Sequence, residues 1–449
     1  MSLTMMKAAS SALLLSRAVH AASATSGSLS VLSFNVAGLP AILQDNDESG
    51  DKTTNTELIG TYFSEYDFDL IHVQEDFNYH AALYSTDTHP YRTATSGGAA
   101  IGSGLNTLAN YPWLDFIRSK WDTCSDNTDY DCLTPKGFTF MRFQATGTAD
   151  NNTAIFIDAY NLHADAGITD ADEVARNSNI NQVLTYANTW SVGNPVLIFG
   201  DTNSRYSRTA DTAIRTLLDA GFTDAWVQNA RAGVVPTVES LCDNPQAYGN
   251  TTCETVDKVF YRSSPLLTFD ASTFEYVSTW FLDSNGTTLS DHNPINVNFT
   301  WTAGTTLQQS GFWGGPHGTW FSDVETLDAI ASPKVATLNF RGANRLDSVG
   351  VTLTDGTALT HGGTGGTAAN LTLATGEYWT SAKLCQSKYN DETRNFYILA
   401  TTSTGNTLSA GTATTDCATY VAPTGWAIVG FVGQDGDEMD QLAFVYAPQ

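Results

Sequence analysis

From residue 29 the chain alternates apolar and polar positions, Leu29-Ser30-Val31-Leu32-Ser33-Phe34-Asn35. That period of two predicts a strand with one buried face. Residues 70–74, Leu-Ile-His-Val-Gln, predict a second strand. The nearly continuous apolar runs at 154–160 and 195–199 suit strands buried on both faces. Between them, Asp170 is placed to cap a helix over 171–190, with Val174, Val183, Leu184 and Ala187 on one face. Residues 257–261 and 295–299 give two later strands. Strands interleaved with helices across residues 25–301 predict a layered α/β or α+β sandwich.

After residue 301 the texture changes. Residues 302–309, Thr-Ala-Gly-Thr-Thr-Leu-Gln-Gln, are mostly small and polar and read as a linker. Residues 310–449 are rich in Gly and Thr, with short alternating runs and no long helical pattern. They predict an all-β domain. A length of 449 residues agrees with two domains, since a single core rarely grows that far.

The net charge of -26 gives DNA or RNA no overall attraction. A dedicated nucleic-acid binder is therefore disfavoured, although a local basic groove is not. At the N-terminus, Lys7 precedes apolar residues 8–15, and Val19-His20-Ala21 fits a cleavage site. Residues 1–24 thus read as a secretion signal, too short to span a membrane. The six cysteines fall into sequence-local pairs, Cys124/Cys132, Cys242/Cys253 and Cys385/Cys417. An even count behind a secretion signal favours disulfides over metal ligation. Asn-x-Ser/Thr sequons at Asn151, Asn250, Asn285, Asn298 and Asn370 also suit a secreted glycoprotein.

Polar residues cluster at predicted strand ends, where layered α/β folds collect their active sites. Asn35 ends the first strand and Glu75 follows the second. His163 follows the third, and Asp201 and Asn203 follow the fourth. Asp291-His292 precedes the last. Each residue alone reads as a turn or core residue; the ordered set is harder to assign to chance.

That ordered set resembles the endonuclease/exonuclease/phosphatase superfamily, the DNase I-like metal phosphoesterases, over roughly residues 29–299. The resemblance implies a four-layer αββα sandwich. It implies that Asn35 and Glu75 hold Mg²⁺ or another divalent cation, with Glu75 as direct ligand. It implies that Asp201 and Asn203 position the attacking water and phosphoryl oxygens. His163 and His292 become the acid–base pair, His292 as base and His163 as acid. Asp257 orients His292, and Asp291 lies beside it. These residue types suit the chemistry: a hard cation on carboxylates offsets charge at an anionic diester, and imidazoles exchange protons near neutral pH.

Two further features resemble the neutral and bacterial sphingomyelinases C. Asp131 and Lys136, in Asp-Cys-Leu-Thr-Pro-Lys-Gly, are similar to an Asp–Lys switch beside the site. Trp280-Phe281, in Val-Ser-Thr-Trp-Phe, is similar to an aromatic pair that touches the lipid surface. Residues 310–449 resemble jacalin-related lectins, which implies a three-sheet β-prism. Gly314-Gly315 matches the opening glycine loop of that family. Gly436 to Asp440 matches its sugar motif, with Asp440 accepting from sugar hydroxyls and the backbone N–H groups of Asp437 and Glu438 donating. A second sugar site around Asp347 departs from the motif, because Ala343 stands where Gly is wanted.

The expectation is a secreted, Mg²⁺-dependent phosphodiesterase of the sphingomyelinase type. It would act on phospholipid at a membrane surface and not on nucleic acid, and would be held there by mannose-type glycans. The alternatives are a secreted nuclease on the same scaffold and a lectin carrying an inactive one.

Overall fold

The structure is a computed structural model and describes residues 25–40, 50–127, 131–147 and 151–449. The expected secretion signal, residues 1–24, lies outside the described residues. Among the described residues no helix is long and apolar enough to cross a membrane.

The alternation at the start of the chain becomes the strand Ser26–Asn35. Its Leu32 and Phe34 pack with Ile59 and Phe63 of the helix Lys52–Tyr66. Its Leu29 and Val31 face the other way, into the main core. The strand lies in the middle of a six-stranded sheet, ordered Leu267–Tyr276, Ile295–Ala303, Ser26–Asn35, Leu70–Gln74, Asn106–Ala109 and Tyr91–Arg92. A second six-stranded sheet runs Trp113–Lys120, Gly137–Gly147, Ala154–His163, Val196–Asp201, Asp257–Arg262 and Thr223–Asp224. Helix Asp170–Trp190 covers its outer face through Ile180, Val183, Leu184 and Ala187. The result is the αββα sandwich.

Polar ties cross between the two sheets. His72 stacks on Phe199 at 3.8 Å, with Nδ1 3.3 Å from that residue's carbonyl. Gln74 donates to Asn161 (2.8 Å), and Asn161 donates to the carbonyls of Val73 and Asn106. These buried hydrogen bonds tie the register of one sheet to the other, directly beneath the strand ends that carry the site.

The long helix corrects the sequence reading in two places. Its N-cap is Thr169, not Asp170: Thr169 and Asp172 bond reciprocally in a capping box. Val174 is 66% exposed, because the buried stripe runs through Ala175, Asn179 and Val183. The three cysteine pairs are the disulfides Cys124–Cys132, Cys242–Cys253 and Cys385–Cys417.

The second half is a β-prism of three sheets. One contains Gln308–Gln309, Met439–Pro448, Trp426–Asp435 and Thr319–Ser322. The others are built on the hairpins Val335–Gly342/Leu346–Leu353 and Trp379–Tyr389/Glu392–Thr402. Leu338, Val349, Trp379, Ile398, Phe431 and Phe444 fill the space between them.

The expected linker, residues 302–309, is not free chain. Thr302 and Ala303 complete a strand of the sandwich, Leu307 is buried, and Gln308–Gln309 pairs with Tyr446 and Val445. The two halves share apolar contacts: Phe156 meets Phe312 at 4.8 Å, and Ala154, Phe156 and Leu266 belong to the core of the prism. Arg142, fully buried, forms a two-point pair with Asp158 (2.7 and 2.8 Å) and lies 3.5 Å from the ring centre of Trp320. Arg142→Ala would strand the Asp158 carboxylate without its partner. A loss of about 3–5 kcal/mol is expected, measured as a lower urea midpoint at unchanged slope.

Candidate active site

Strand register assembles the site. In the first sheet Asn35 pairs with Gln74, which places Glu75 one residue beyond. Ser33 pairs with Ile295, which brings the preceding Asp291-His292 to the same edge. In the second sheet Asp201 is flanked by His163 on one side and Asp257 on the other. Two sheets packed face to face therefore bring six polar residues from six strand ends together.

Asn35 is the hub. Its Nδ2 lies 3.2 Å from Glu75 Oε1, 3.2 Å from Asp201 Oδ2 and 3.4 Å from His292 Nε2. Its Oδ1 accepts from the Ala37 N–H at 3.1 Å. Its N–H₂ reaches the carboxylates of Glu75 and Asp201, which sets Asn35 beside Glu75 at the place expected for the cation. Glu75 has a left-handed backbone (φ 55°) and is only 8% exposed. Its Oε2 is buried without a hydrogen-bond partner, and such an orphan oxygen needs an explanation. A hard divalent cation fits it. Asp201, Asp257 and His292 also bring ligand atoms within 4.8 Å of one another. There, however, His292 Nδ1 is 3.0 Å from Asp257 Oδ2, a hydrogen bond that already uses that nitrogen. Glu75 is the better seat for a cation.

The two histidines differ in charge. Burial opposes a charge on His292, but Asp257 and Asp201 outweigh it and raise its pKa well above the ordinary value. Burial, reinforced by Lys136, pushes His163 down to about 3, although Asp201 Oδ2 is 3.4 Å away. Burial pushes Asp201 up, and the two histidines more than offset it, so Asp201 is held below the usual carboxylate range. Burial raises Glu75, against the pull of Lys136. Asn203 (φ 48°) donates its N–H to Asp201 Oδ1 at 2.9 Å, and its amide is anchored on the Ala164 carbonyl at 3.0 Å. Asp291 is exposed at the edge, and its charge acts on both Glu75 and His292.

Asp131 and Lys136 form an ion pair. Lys136 also faces Glu75 and Asp201, so this loop contributes a cation to the site. Trp280 and Phe281 do not form the expected exposed pair. Phe281 is 1% exposed, packed against Phe34, Tyr62 and Phe63. It anchors the segment and cannot reach a bilayer. Trp280, half-buried, lies between Tyr66 (4.8 Å) and Tyr248 (5.7 Å).

Three contributors escaped the sequence reading. Ser290 Oγ donates to the Asn35 carbonyl (2.6 Å) and accepts from the His292 N–H (3.2 Å), locking the last segment to the first strand. Trp121 Nε1 donates to the His163 carbonyl at 2.7 Å. Burial pushes Asp165 up to about 7 beside the Asp131–Lys136 pair. Only Ser290, adjacent to Asp291-His292, had a local signal.

In the prism, Gly314 has φ 100°, and a Cβ there would fall 2.0 Å from the Asp440 carbonyl. Backbone must pass where a side chain cannot. Gly315 donates to the same carbonyl at 3.1 Å. Asp440 is buried, and burial raises it to about 6. One carboxylate oxygen is 2.8 Å from Arg394 Nη1, while the other lies beneath Gly318. Gly436 donates to the Glu438 carbonyl at 3.0 Å, closing the turn that holds Asp437. The Glu438 carboxylate is committed to Arg345.

Comparison with known proteins is consistent with both halves. Residues 41–298 match Endonuclease/Exonuclease/phosphatase family 2, and residues 310–445 match the Jacalin-like lectin domain. A sphingomyelinase of Mycobacterium bovis is 34% identical over 291 residues, covering 62% of this chain and 54% of that one. One from Mycobacterium tuberculosis matches equally. The chain spans about half the length of these curated relatives. Among solved structures, a beta toxin variant of Staphylococcus aureus with bound magnesium ions is 18% identical, with TM-score 0.41, covering 60% of this chain and 99% of that one. Malaysian banana lectin is 22% identical, with TM-score 0.27, covering 31% of this chain and 98% of that one.

Proposed function

The chain belongs to Endonuclease/Exonuclease/phosphatase family 2, and from that membership we propose that it is a divalent-metal phosphodiesterase acting on sphingomyelin-like phospholipids. The observation that carries the proposal is the Asn35–Glu75–Asp201–His292 cluster with the open Glu75 oxygen. Glu75 would hold the cation, most simply Mg²⁺, which when bound would offset negative charge at the phosphoryl oxygens.

The chain's own residues do the rest. A cation on Glu75 would oppose the charge that Asp257 and Asp201 favour on His292, so that its Nε2 can take the proton of the attacking water while Asp257 holds the ring through Nδ1 and stabilises the imidazolium that forms. Asp201 and Asn203 orient that water. Burial and Lys136 oppose a charge on His163, and an anionic phosphate in the site would favour it, so His163 keeps its expected role as proton donor to the leaving oxygen. Lys136, paired with Asp131 and facing Glu75, balances charge at the phosphate. The products would be ceramide and the phosphorylated headgroup. The disulfides suit an extracellular location.

The nuclease reading wants a basic groove. Residues 93–105, 164–175 and 232–257 contain no Lys or Arg, and Arg205 and Arg208, on the Asn203 loop, are paired with Glu239 and Asp211. A panel of sphingomyelin, phosphatidylcholine and plasmid DNA, each with Mg²⁺, tests the choice. Plasmid cleavage without lipid turnover rejects the lipid reading.

The prism is proposed to hold the enzyme on glycosylated surfaces through the Gly314–Asp440 site, with mannose-type sugars preferred. Anchoring raises effective substrate concentration without new contacts at the phosphorus. Asp440→Ala should remove binding to a mannose column while leaving hydrolysis of a soluble phosphodiester within about twofold, because additivity holds for distant sites.

A further inference from the structure

Exposed apolar side chains scattered singly over a protein need no explanation. Here they are not scattered. Among the described residues of the catalytic half, five of the eight exposed large aliphatic side chains lie on loops or a single helical turn tied to active-site segments. Ile101, 78% exposed, tips a loop whose Gly104 packs against the Glu75 backbone. Leu133, 65% exposed, sits between Asp131 and Lys136. Ile168, 71% exposed, follows His163 on a loop tied to Asp131 through the Ala166 N–H. Val238 and Leu241 belong to a loop joined to the Asn203 segment by the Arg205–Glu239 ion pair. Tyr248 stands on the His292 side, on a segment bonded to Ser290 and Asn293.

We infer that this ring is the membrane-contacting face of the protein, taking the place expected for Trp280-Phe281. The inference rests on the lipid reading of the active site and names the surface that delivers the substrate. A soluble substrate gives no reason to place five aliphatic side chains, each on solvent-facing loop backbone, around one mouth. A phosphodiester at the level of lipid headgroups does: apolar tips enter the acyl boundary while the site between them stays at headgroup depth. Tyr248, with its polar end, suits the headgroup level itself.

Charge narrows the surface further. The loop 93–105 has no charged residue, and residues 232–241 carry only Glu239, which Arg205 neutralises. With -26 on the whole chain, an anionic bilayer would repel the protein. The ring therefore fits a zwitterionic bilayer, with attachment driven by apolar burial.

The test uses the full chain with divalent ions chelated, so that binding is read without turnover. Wild type and Ile101→Ser/Val238→Ser are sedimented with sphingomyelin–phosphatidylcholine vesicles, which carry no glycan for the prism. Hydrolysis of bis(4-nitrophenyl) phosphate, a water-soluble diester, and the melting temperature are measured alongside. The wild type should sediment, and added phosphatidylserine should weaken it. The double variant should bind at least about tenfold more weakly, as two inserted aliphatic groups are lost, with soluble-diester turnover and melting unchanged. Equal vesicle binding by the variant, with wild type still hydrolysing vesicle sphingomyelin, overturns this surface and leaves the lipid reading standing. A wild type that cleaves the soluble diester but neither binds nor hydrolyses vesicles overturns both.

Discussion

His292→Ala is expected to lower kcat/KM for phosphodiester hydrolysis by about 10²–10⁴-fold, the range of a positioned acid–base group. The geometry makes this residue hard to replace. Its Nδ1 is held by Asp257 at 3.0 Å, and its Nε2 faces Asn35 and Asp201. His163, the other imidazole described at the site, is driven down to about 3 by burial, too weak a base to replace it. A variant retaining more than about a tenth of wild-type activity would fall outside that range and remove His292 from the mechanism.

The same variant has a second readout that a purely structural role would not produce. Asp257 and Asp201 raise His292 above its ordinary 6.5, so the folded protein holds that proton more tightly than the unfolded chain. Its contribution to stability is fully present below the unfolded value and is lost as pH rises through the folded one. With metal chelated, the stability gap between wild type and His292→Ala should therefore narrow as pH is raised above 6.5. Urea melts at several pH values measure it.

Glu75→Gln is the second large effect. The substitution preserves volume and removes the charge that the buried Oε2 would offer a cation. Losing that seat should cost about 10²–10³-fold in turnover at metal concentrations that saturate wild type, some 3–4 kcal/mol of transition-state stabilisation. Calorimetric titration with Mg²⁺ or Mn²⁺ should show correspondingly weaker binding. Unchanged metal affinity would move the cation elsewhere, with Asp201–Asp257–His292 the next place to look.

The site was legible in the sequence because strand ends are. Apolar runs announce strands, and the polar residue closing each run is visible without knowing the partner strand. What the sequence could not show was convergence from unrelated elements. Asp165 owes its raised pKa to a fold that buries it beside Asp131 and Lys136. Arg394 reaches Asp440 from another sheet of the prism. Trp121 supports His163 across two strands. Phe281 illustrates the opposite failure: an aromatic beside a turn reads as an interface residue, yet a nearby helix supplied Phe63 and Tyr62 to bury it. Residues 302–309 looked like a linker by composition, but strand pairing at both ends and the buried Leu307 tie them down.

The most direct test of the account is hydrolysis of sphingomyelin vesicles in ¹⁸O-labelled water with Mg²⁺. Attack by water on phosphorus predicts label in the phosphorylated headgroup, none in ceramide, and turnover lost in His292→Ala. Label in ceramide, or vesicles left intact while plasmid DNA is cut, would contradict it.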